Sequence, residues 1–338
     1  MNGKKLPKLQ DLIFGCNEFC WPEVKRPFSR ESPRNPDEYW LRGESLAALR
    51  ASGTDAHRLF SSADAWLERF GADLLLSHKT DAARDRVLTV LPEWIATHGL
   101  EYRRLFCKLL PRQNEDRAAP VLLFGDAALP METVVAENGM RFGLDFAAGY
   151  SAGLFIDQRG NRESVRRSGV RRLLNTFAYT CSFSVAAAIE GAETTSIDLS
   201  KKSIDRGRAN FALNELDAAA HTFIADDVLD VLPRLARRGE KFDAIILDPP
   251  TFSRGNKGRK WQVEHDFEGL LLAALEVAAP KARVLLSTNC TRLDRRALER
   301  IARFALKTAR RAAAFHQEPP LPDVPAPFAA QTLWLCLS

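Results

Sequence analysis

The stretch that decides the fold of this chain is Phe242-Asp243-Ala244-Ile245-Ile246-Leu247 with the segment that follows it, Asp248-Pro249-Pro250-Thr251-Phe252. The first six residues are a short apolar run, which predicts a buried strand of a parallel sheet. The two prolines lack an N–H donor and keep the backbone extended, so they end the strand and form a rigid shelf. Ligands of open α/β sheets bind at this carboxyl edge. We therefore expect Asp248 and Phe252 to hold one planar, nitrogen-containing ring; a proline-rich turn without a ligand is the alternative.

Strands and helices alternate through the second half of the chain. Strands are predicted over residues 170–176, 194–197, 221–225, 242–247 and 283–287. Helices are predicted over residues 182–191, 200–213, 228–238, 265–278 and 294–308. Repeated strand–helix units favour a doubly wound, mostly parallel sheet with right-handed crossovers. A last strand over 332–337 follows a proline-rich connection, so we expect it to run antiparallel at an edge.

The first half of the chain has a different pattern. Residues 1–40 are polar and irregular, and helices are predicted over 46–70 and 84–98. Strands are predicted over residues 72–77, 102–110, 121–124, 132–137 and 140–146. Asn138-Gly139, between the last two strands, indicates a hairpin. The predicted fold class is therefore α/β, with a small α+β domain before the parallel sheet. We expect an N-terminal extension over 1–60, the small domain over 61–147, where RNA or substrate contacts are expected, and the sheet domain over 148–338.

Composition excludes several classes of protein. The 338 residues are 46% hydrophobic, and no apolar stretch approaches the ~20 residues of a membrane span. No apolar segment follows Met1 to Lys5, so we expect no secretory signal and a cytoplasmic protein. The six cysteines are scattered, which is typical of reduced thiols. Cys16 and Cys20 lack a second ligand pair at a suitable spacing, so no metal site is predicted.

The charge of the chain is compatible with a nucleic-acid partner. The net charge is +5 and the pI is about 8.9. Two basic clusters stand out, Arg159 to Arg172 and Arg254 to Lys260, and the second directly follows the proline shelf. A basic loop beside a binding edge is suited to the phosphates of a polynucleotide, although a solvated surface is the alternative for both clusters.

Polar residues stand at the ends of four successive predicted strands: Asn175, Asp198, Asp226 or Asp227, and Asp248. The turn over 175–184 contains no glycine, which disfavours a pyrophosphate and suits a cofactor without phosphates. Asp198 can accept both ribose hydroxyls of an adenosine, and Asp227, which spacing prefers over Asp226, can accept the adenine amine. Each acid could instead cap a helix. Four such polar residues at the ends of successive strands together predict an S-adenosylmethionine site with a target ring beside it.

These motifs resemble those of the class I S-adenosylmethionine-dependent methyltransferases that modify bases of large-subunit ribosomal RNA, the RlmI and RlmK type. The matching segments are 153–159, 175–184, 198–200, 226–228 and 247–253. The similarity is good over roughly residues 130–300 and looser from about residue 70.

The resemblance implies a Rossmann-like methyltransferase domain with S-adenosylmethionine as cofactor and 23S ribosomal RNA as substrate, and hence a role in rRNA processing. It leaves open whether the chain is a monomer or a homodimer. The segment from Phe155 to Arg159 is expected to lie against the cofactor. The predicted cofactor-binding residues are Phe155, Asp157, Gln158, Arg159, Asn175, Phe177, Tyr179, Thr180, Ser182, Asp198, Leu199, Asp226, Asp227, Val228 and Asp248. The predicted catalytic residues are Asp248, Pro249, Pro250 and Phe252, together with Cys290 if the target is cytosine C5.

Two departures from the family pattern matter. Its members have glycine where this chain has Cys181 in Tyr179-Thr180-Cys181-Ser182. If that position uses a positive φ, the cysteine costs about 1–2 kcal/mol, and whether cofactor binding is weakened stays open. The pattern of the PUA RNA-binding module that begins RlmI-type enzymes is absent from residues 1–70.

The methylated atom stays open between two alternatives. Cytosine C5 needs a cysteine thiolate that attacks C6, and Cys290 aligns with the cysteine of the RlmI-type Ser-Cys-Ser motif. Residues 251–253, 262–266 and 70–113 are more similar to the RlmK type, which methylates guanine N7 and needs only positioning. We favour guanine slightly. Trp261 could stack an unpaired base or cover the next helix.

Two other classes of function stay open. A catalytically weak RNA-binding protein could retain the fold, since the first turn lacks glycine. A methyltransferase of a small molecule or of a protein is the other alternative.

Overall fold

The computed structural model describes residues 38–110 and 118–338, apart from the side chain of Lys257. Cys16 and Cys20, and most of the predicted N-terminal extension, lie outside this range. Within it, no helix is long and apolar enough to span a bilayer.

A six-stranded sheet forms the first layer. Its strands are β1 (Glu38–Trp40), β2 (Ala56–Ser62), β3 (Ala65–Phe70), β4 (Asp73–His78), β5 (Arg104–Leu109) and β6 (Val121–Gly125), paired in that order. All neighbours are antiparallel except β4 and β5. Two helices, α1 (Gly43–Ala51) and α2 (Asp81–His98), pack on one face of this sheet. The sheet takes in β2, which crosses the predicted domain boundary at residue 60, and the division into domains stays a prediction.

The predicted helix over residues 46–70 is wrong beyond Ala51, because β2 and β3 follow. Both faces of these strands are buried, so the polar–apolar alternation that marks a half-buried strand is missing. A register shift between Arg58 and Phe60 also places Leu59 and Phe60 in the same core cluster. The helix α2 begins as expected from local chemistry, because the Thr80 hydroxyl accepts a hydrogen bond from the N–H of Ala83 at 3.1 Å.

A hairpin connects the two sheets. It consists of β7 (Glu132–Glu137) and β8 (Met140–Asp145), paired antiparallel. The turn between them has positive φ at Asn138 (50°) and Gly139 (80°), as the Asn-Gly pair predicts. Val135 and Phe142 of the hairpin share one core cluster with Phe70 of the first sheet and Val185 of the second half.

The second sheet has seven strands in the order β11-β10-β9-β12-β15-β17-β16. Their bounds are β9 (Arg172–Thr176), β10 (Glu193–Asp198), β11 (Thr222–Ala225), β12 (Phe242–Leu247), β15 (Ala278–Thr288), β16 (Ala313–His316) and β17 (Gln331–Leu337). The five strands β11, β10, β9, β12 and β15 run parallel to one another. Strand β17 is antiparallel to both of its neighbours, β15 and β16. The predicted α/β fold with a mostly parallel sheet is confirmed. The short edge strand β16 and a small hairpin of β13 (Phe252–Arg254) and β14 (Lys260–Gln262) were not predicted.

Helices cover both faces of this sheet. They are α3 (Arg159–Arg167), α4 (Ser182–Ala188), α5 (Lys201–Leu213), α6 (Val228–Arg237), α7 (Val263–Leu275) and α8 (Arg295–Thr308). In β12, Ile245 and Leu247 face the core beneath α6, α7 and α8, whereas Ala244 and Ile246 face the opposite core beneath α3 and α4. Burial on both faces explains why this strand is a continuous apolar run.

Most arginines of the basic cluster from Arg159 to Arg172 are paired with carboxylates of this chain, and two of them are buried. Arg162 is 1% exposed and donates to both carboxylate oxygens of Glu137, at 2.7 and 2.6 Å. Arg159 is buried and pairs with Asp323. Arg166 pairs with Glu190 at 2.8 Å. These side chains are committed to carboxylates of this chain, so the cluster is poorly suited to phosphates.

The buried pair predicts a large effect on stability. Arg162→Ala leaves the Glu137 carboxylate buried without its partner, so we expect a loss of about 3–5 kcal/mol in the free energy of unfolding. Arg167→Ala, which removes a 79% exposed side chain from the same helix, should cost less than about 1 kcal/mol. Urea titrations followed by circular dichroism measure both. Equal losses in the two variants would contradict the burial of Arg162.

Candidate functional site

A cavity of about 300 Å³ lies at the carboxyl edge of the second sheet. The strand order reverses there, since β10 lies on one side of β9 and β12 lies on the other. Such a switch point is the usual binding crevice of an open α/β sheet. The lining residues are Ser151, Phe155, Asp157, Gln158, Phe177, Tyr179, Asp198, Leu199, Asp227, Val228, Leu229, Asp248, Pro249, Pro250, Ser253, Gly255, Arg259, Trp261 and Asn289.

The turn after β9 has an unusual backbone. Phe177, Tyr179 and Cys181 have φ angles of 51°, 47° and 60°, the left-handed region that favours glycine. Each side chain there costs about 1–2 kcal/mol. Cys181 thus has the positive φ on which the expected cost of replacing glycine depends. Neighbouring contacts hold this turn, because the N–H of Ala178 donates to the carbonyl of Ile197 at 2.9 Å.

Cys181 is fully buried, and its sulfur lies against α5. A Cβ atom added to Gly207 would lie 2.4 Å from this sulfur, so α5 accepts Cys181 only because residue 207 has no side chain. Burial raises the pKa of the Cys181 thiol to about 12, which keeps it neutral at physiological pH. The thiol thus fills space and carries no chemistry.

Asp198 ends β10 and fixes the turn beside it. Its carboxylate accepts hydrogen bonds from the N–H groups of Tyr179 and Ser200, each at 2.8 Å. Burial raises the pKa of Asp198, and these two hydrogen bonds oppose that shift. The neighbouring Leu199 side chain is 47% exposed and also lines the cavity.

The structure separates the two acids that follow β11. Asp227 lines the cavity and caps α6, because its carboxylate accepts from the N–H of Leu229 at 3.0 Å. Asp226 is absent from the lining and is held by Arg234 and by the Asn256 side-chain amide. The preference for Asp227 over Asp226 thus agrees with where the structure places them.

Asp248 belongs to a chain of hydrogen bonds that crosses the sheet. It bonds the Ser287 hydroxyl, which lies at 2.9 Å from the side-chain nitrogen of Gln158. The Gln158 oxygen accepts from Asn161 at 2.9 Å, and Asn161 accepts from the indole of Trp334 at 2.9 Å. Buried polar groups that are fully paired are held in one geometry. The Asp248 carboxyl is therefore positioned from β17, two strands away from β12 in the sheet.

The environment of Asp248 also sets its charge. Burial, with a smaller contribution from the nearby Asp157 carboxylate, raises the pKa of its carboxyl to about 6, although the Ser287 hydrogen bond opposes the shift. Asp248 is thus mostly ionised above pH 7 and mostly neutral below pH 5. Since the folded chain holds this proton more tightly than the unfolded chain, the contribution of Asp248 to stability falls as pH rises from about 4 to 6.

The proline shelf is supported from below by Trp261. Its indole N–H donates to the carbonyl of Pro250 at 2.8 Å, and its ring is 3% exposed and lies 5.9 Å from the ring of Phe177. Trp261 therefore covers the core and holds the shelf, rather than presenting a free face to an RNA base. Phe252, the expected aromatic neighbour of the ring, is 46% exposed and absent from the lining, which contains Phe177 and Trp261 instead.

Cys290 is buried beside the cavity but outside its lining. Its sulfur lies 3.7 Å from a carboxylate oxygen of Glu264, and the side chain is 5% exposed. The preceding residue, Asn289, lines the cavity. The structure therefore separates the two neighbours, with the amide toward the cavity and the thiol away from it.

The geometry can be compared with known proteins. Residues 76–334 match the family described as S-adenosylmethionine-dependent methyltransferase. The chain belongs to this family. S-adenosylmethionine is therefore its cofactor, as predicted.

Relatives of this methyltransferase carry more specific names. It is 32% identical over 232 residues to ribosomal RNA large subunit methyltransferase I of Erwinia tasmaniensis, covering 67% of this chain and 57% of that protein. It is 36% identical over 167 residues to the protein of the same name from Aeromonas salmonicida, covering 49% and 42%. The chain thus spans about half the length of these relatives. The crystal structure of the methyltransferase SMU.776, complexed with SAH, superposes with a TM-score of 0.74 at 25% identity and covers 87% of this chain and 79% of that one.

The residues of this methyltransferase fit the cofactor. S-adenosylmethionine carries a cationic sulfonium, an adenosine and no phosphate. The cavity supplies carboxylates from Asp157, Asp198 and Asp248 and an apolar wall that includes Val228 and Leu229. The N–H of Tyr179 is already bonded to Asp198, so the turn has little left to offer a phosphate.

Several predicted site residues of the methyltransferase lie in the walls. Asn175 bonds Ser184 at 3.0 Å and Thr180 bonds the carbonyl of Gly153 at 2.6 Å, so both support the cavity from behind. The residues predicted for the site but absent from its lining are Arg159, Asn175, Thr180, Ser182, Asp226, Phe252 and Cys290. The lining residues that sequence reasoning did not assign are Ser151, Leu229, Ser253, Gly255, Arg259, Trp261 and Asn289. Asn289 had a usable signal, because it follows the fifth strand as the other polar residues follow theirs.

The contact between Cys181 and Gly207 predicts a coupled pair. Gly207→Ala should destabilise the chain by about 1–3 kcal/mol, because the new methyl group overlaps the buried sulfur. In a Cys181→Gly background the same change should be neutral or stabilising by up to about 1 kcal/mol, since alanine favours a helix. Denaturant unfolding of the four chains measures the coupling. An equal cost of Gly207→Ala in both backgrounds would contradict the contact.

Proposed function

We propose that this chain transfers a methyl group from S-adenosylmethionine to a base of large-subunit ribosomal RNA. The observation that carries the proposal is one cavity that unites Asp198 and Asp227 with the Asp248-Pro249-Pro250 shelf. The names of the two relatives support the substrate class. We expect such an enzyme in the cytoplasm, where ribosomal RNA is modified.

In the proposed mechanism, no residue of the protein forms a covalent bond with the substrate. When bound, S-adenosylmethionine supplies an electrophilic methyl group on sulfur. Asp198 and Asp227 hold the adenosine portion, and the prolines keep the target ring in one plane. Asp248, held by Ser287, to which Gln158 donates in turn, accepts an N–H of the base and fixes its orientation. Catalysis then rests on the orientation of two bound groups.

We propose a ring nitrogen, guanine N7, as the methylated atom. Cytosine C5 would require a thiolate that reaches C6 of the base. The Cys290 sulfur lies outside the cavity lining, 3.7 Å from a carboxylate oxygen of Glu264, so it is not placed to attack a ring held in the cavity. Guanine N7 already carries an in-plane lone pair, so positioning is sufficient.

The charge of Asp248 also favours guanine. Above pH 7 it is mostly an ionised carboxylate, which accepts hydrogen bonds and donates none. Guanine presents two adjacent donors, N1–H and the N2 amine, whereas cytosine presents one amine next to the N3 acceptor. The carboxylate can accept from both donors of guanine.

Methyl transfer to RNA tests the proposal directly. The chain is incubated with labelled S-adenosylmethionine and deproteinised large-subunit ribosomal RNA, which is then digested to nucleosides. We expect label in 7-methylguanosine. Label in 5-methylcytidine would overturn the base, and label confined to proteins or small molecules would overturn the substrate class. RNA binding without transfer would support the catalytically weak RNA-binding alternative.

The raised pKa of Asp248 predicts a pH dependence. Transfer by the wild-type chain should rise with pH through about 6 as the carboxyl ionises. Asp248→Asn should lower the rate roughly 10- to 100-fold and remove this inflection, since a hydrogen bond to a charged group is lost. Asp157→Asn should retain the inflection and move it to lower pH, because the Asp157 carboxylate raises the pKa of Asp248. An inflection that persists in Asp248→Asn would assign the titration to another group.

Substitution of Cys290 distinguishes the two candidate bases, guanine and cytosine. Cys290→Ala should retain methyl transfer within about threefold of the wild-type rate, because the thiol takes no part in the reaction and its cavity is small. Cys336→Ala, which removes a partly buried cysteine of β17, serves as the control. A loss of transfer by more than a hundredfold in Cys290→Ala alone would favour the covalent mechanism at cytosine C5.

A further inference from the structure

The positive charge of this chain is concentrated in one segment. Residues 292–311 hold eight arginine and lysine side chains and two carboxylates, a net charge of +6, against +5 for the whole chain. The remainder of the protein is therefore close to neutral. This segment consists of α8 and the residues at its two ends.

The cations of α8 form one stripe. Arg296, Arg300, Arg303 and Lys307 are spaced by four, three and four residues, which places them along one side of the helix over about 16 Å. Arg310 follows just past the end of the helix. The opposite side of α8 is buried against the sheet, with Leu298, Ala302 and Leu306 among its core residues. We call these five cations the α8 basic stripe.

Among the described residues, most cations of the α8 basic stripe are not paired with a carboxylate. Arg303 lies 4.0 Å from Glu299 and over the ring of Phe315. In the part of the chain that the structure describes, the side chains of Arg296, Arg300, Lys307 and Arg310 are exposed and have no ion-pair or hydrogen-bond partner. This contrasts with the cluster from Arg159 to Arg172, whose main cations are paired.

An exposed aromatic ring lies within the stripe. Phe304 is 56% exposed, next to Arg303 in sequence and one helical turn from Arg300. Exposing a large apolar ring to water is unfavourable, and a bound partner that covers the ring would remove this cost. Cations that track a phosphate backbone, with an aromatic ring on which a base can stack, are the usual pattern of single-stranded RNA binding.

The stripe begins at the edge of the sheet that holds the cavity. Asn289 lines the cavity at the carboxyl end of β15, and α8 begins at Arg295 after a short loop. Because α8 returns toward the opposite edge of the sheet, the stripe leads from the cavity along the outer side of the molecule. A strand whose base enters the cavity can therefore continue over α8.

We propose that the α8 basic stripe binds the phosphate backbone of the RNA substrate on one side of the target base. The inference rests on the proposed function, since it names the surface that holds the same substrate. Because the α8 basic stripe is cationic, we expect its partner to be a polyanionic strand. An anionic membrane surface, which also attracts basic helices, is an outcome that the test must separate.

The test compares two variants with the same change in charge. The stripe variant combines Arg296→Gln, Arg300→Gln, Lys307→Gln and Arg310→Gln. The control combines Arg171→Gln, Arg237→Gln, Arg238→Gln and Lys281→Gln, which are exposed and remote from the cavity edge. Binding of a labelled fragment of large-subunit ribosomal RNA is measured from about 50 to 200 mM salt, and S-adenosylhomocysteine binding confirms that each variant is folded.

The stripe variant should bind RNA roughly 10- to 100-fold more weakly than the wild-type chain, with a salt slope smaller by about 3, because each phosphate contact contributes about 0.7–0.9 to that slope. The control should change far less. Equal effects of the two variants, or no effect of the stripe variant, would overturn the inference.

Methyl transfer by the same proteins separates the two proposals. If the wild-type chain methylates RNA and the stripe variant does so equally well at low RNA concentration, the stripe proposal fails and the function stands. If the stripe governs RNA binding and no protein transfers methyl, the function fails and the stripe stands. Stripe-dependent binding to vesicles containing phosphatidylserine, without stripe-dependent RNA binding, would replace RNA with a membrane as the partner.

Discussion

The reversal of strand order between β9 and β12 is the constraint on which the rest of the structure depends. The chain leaves β9 toward β10 on one side, while β12 pairs with β9 on the other, so a crevice opens at their carboxyl ends. Asp198, Asp227 and Asp248 are distant in sequence and reach this crevice because the strands before them are parallel. The pairing of Leu247 with Thr176 sets the level at which Asp248 emerges.

Buried polar contacts hold the crevice in shape. The chain of hydrogen bonds from Trp334 to Asp248 runs through three elements, and its first member comes from the antiparallel strand β17. The shelf is held from the other side by the indole of Trp261. The antiparallel strand β17 and a small hairpin, neither of which contributes a proposed catalytic residue, thus orient the Asp248 carboxyl and the shelf beside it.

Sequence alone predicted the elements whose signals are local. The strand β12 and the helix after Ser200 follow from a short apolar run and a capping hydroxyl, and the acids that end β10, β11 and β12 follow from their positions. It failed where partners are remote. The cluster from Arg159 to Arg172 suggested charge available to a nucleic acid or to solvent, but Arg162 is paired with Glu137, which lies 25 residues earlier in a hairpin. The Cys290 side chain lies beside Glu264 of α7, a contact that the sequence does not show. The strands β2 and β3 lack the polar–apolar alternation of a half-buried strand, because both of their faces are buried.

Calorimetric titration with S-adenosylhomocysteine tests whether this cavity is the cofactor site, because binding depends on the cavity and on no RNA. We expect the wild-type protein to bind one molecule per chain. Asp227→Ala should weaken it at least tenfold, whereas Asp226→Ala, one residue away and outside the lining, should have little effect. Absence of binding to the folded wild-type chain, or equal effects of the two variants, would contradict the assignment of this cavity.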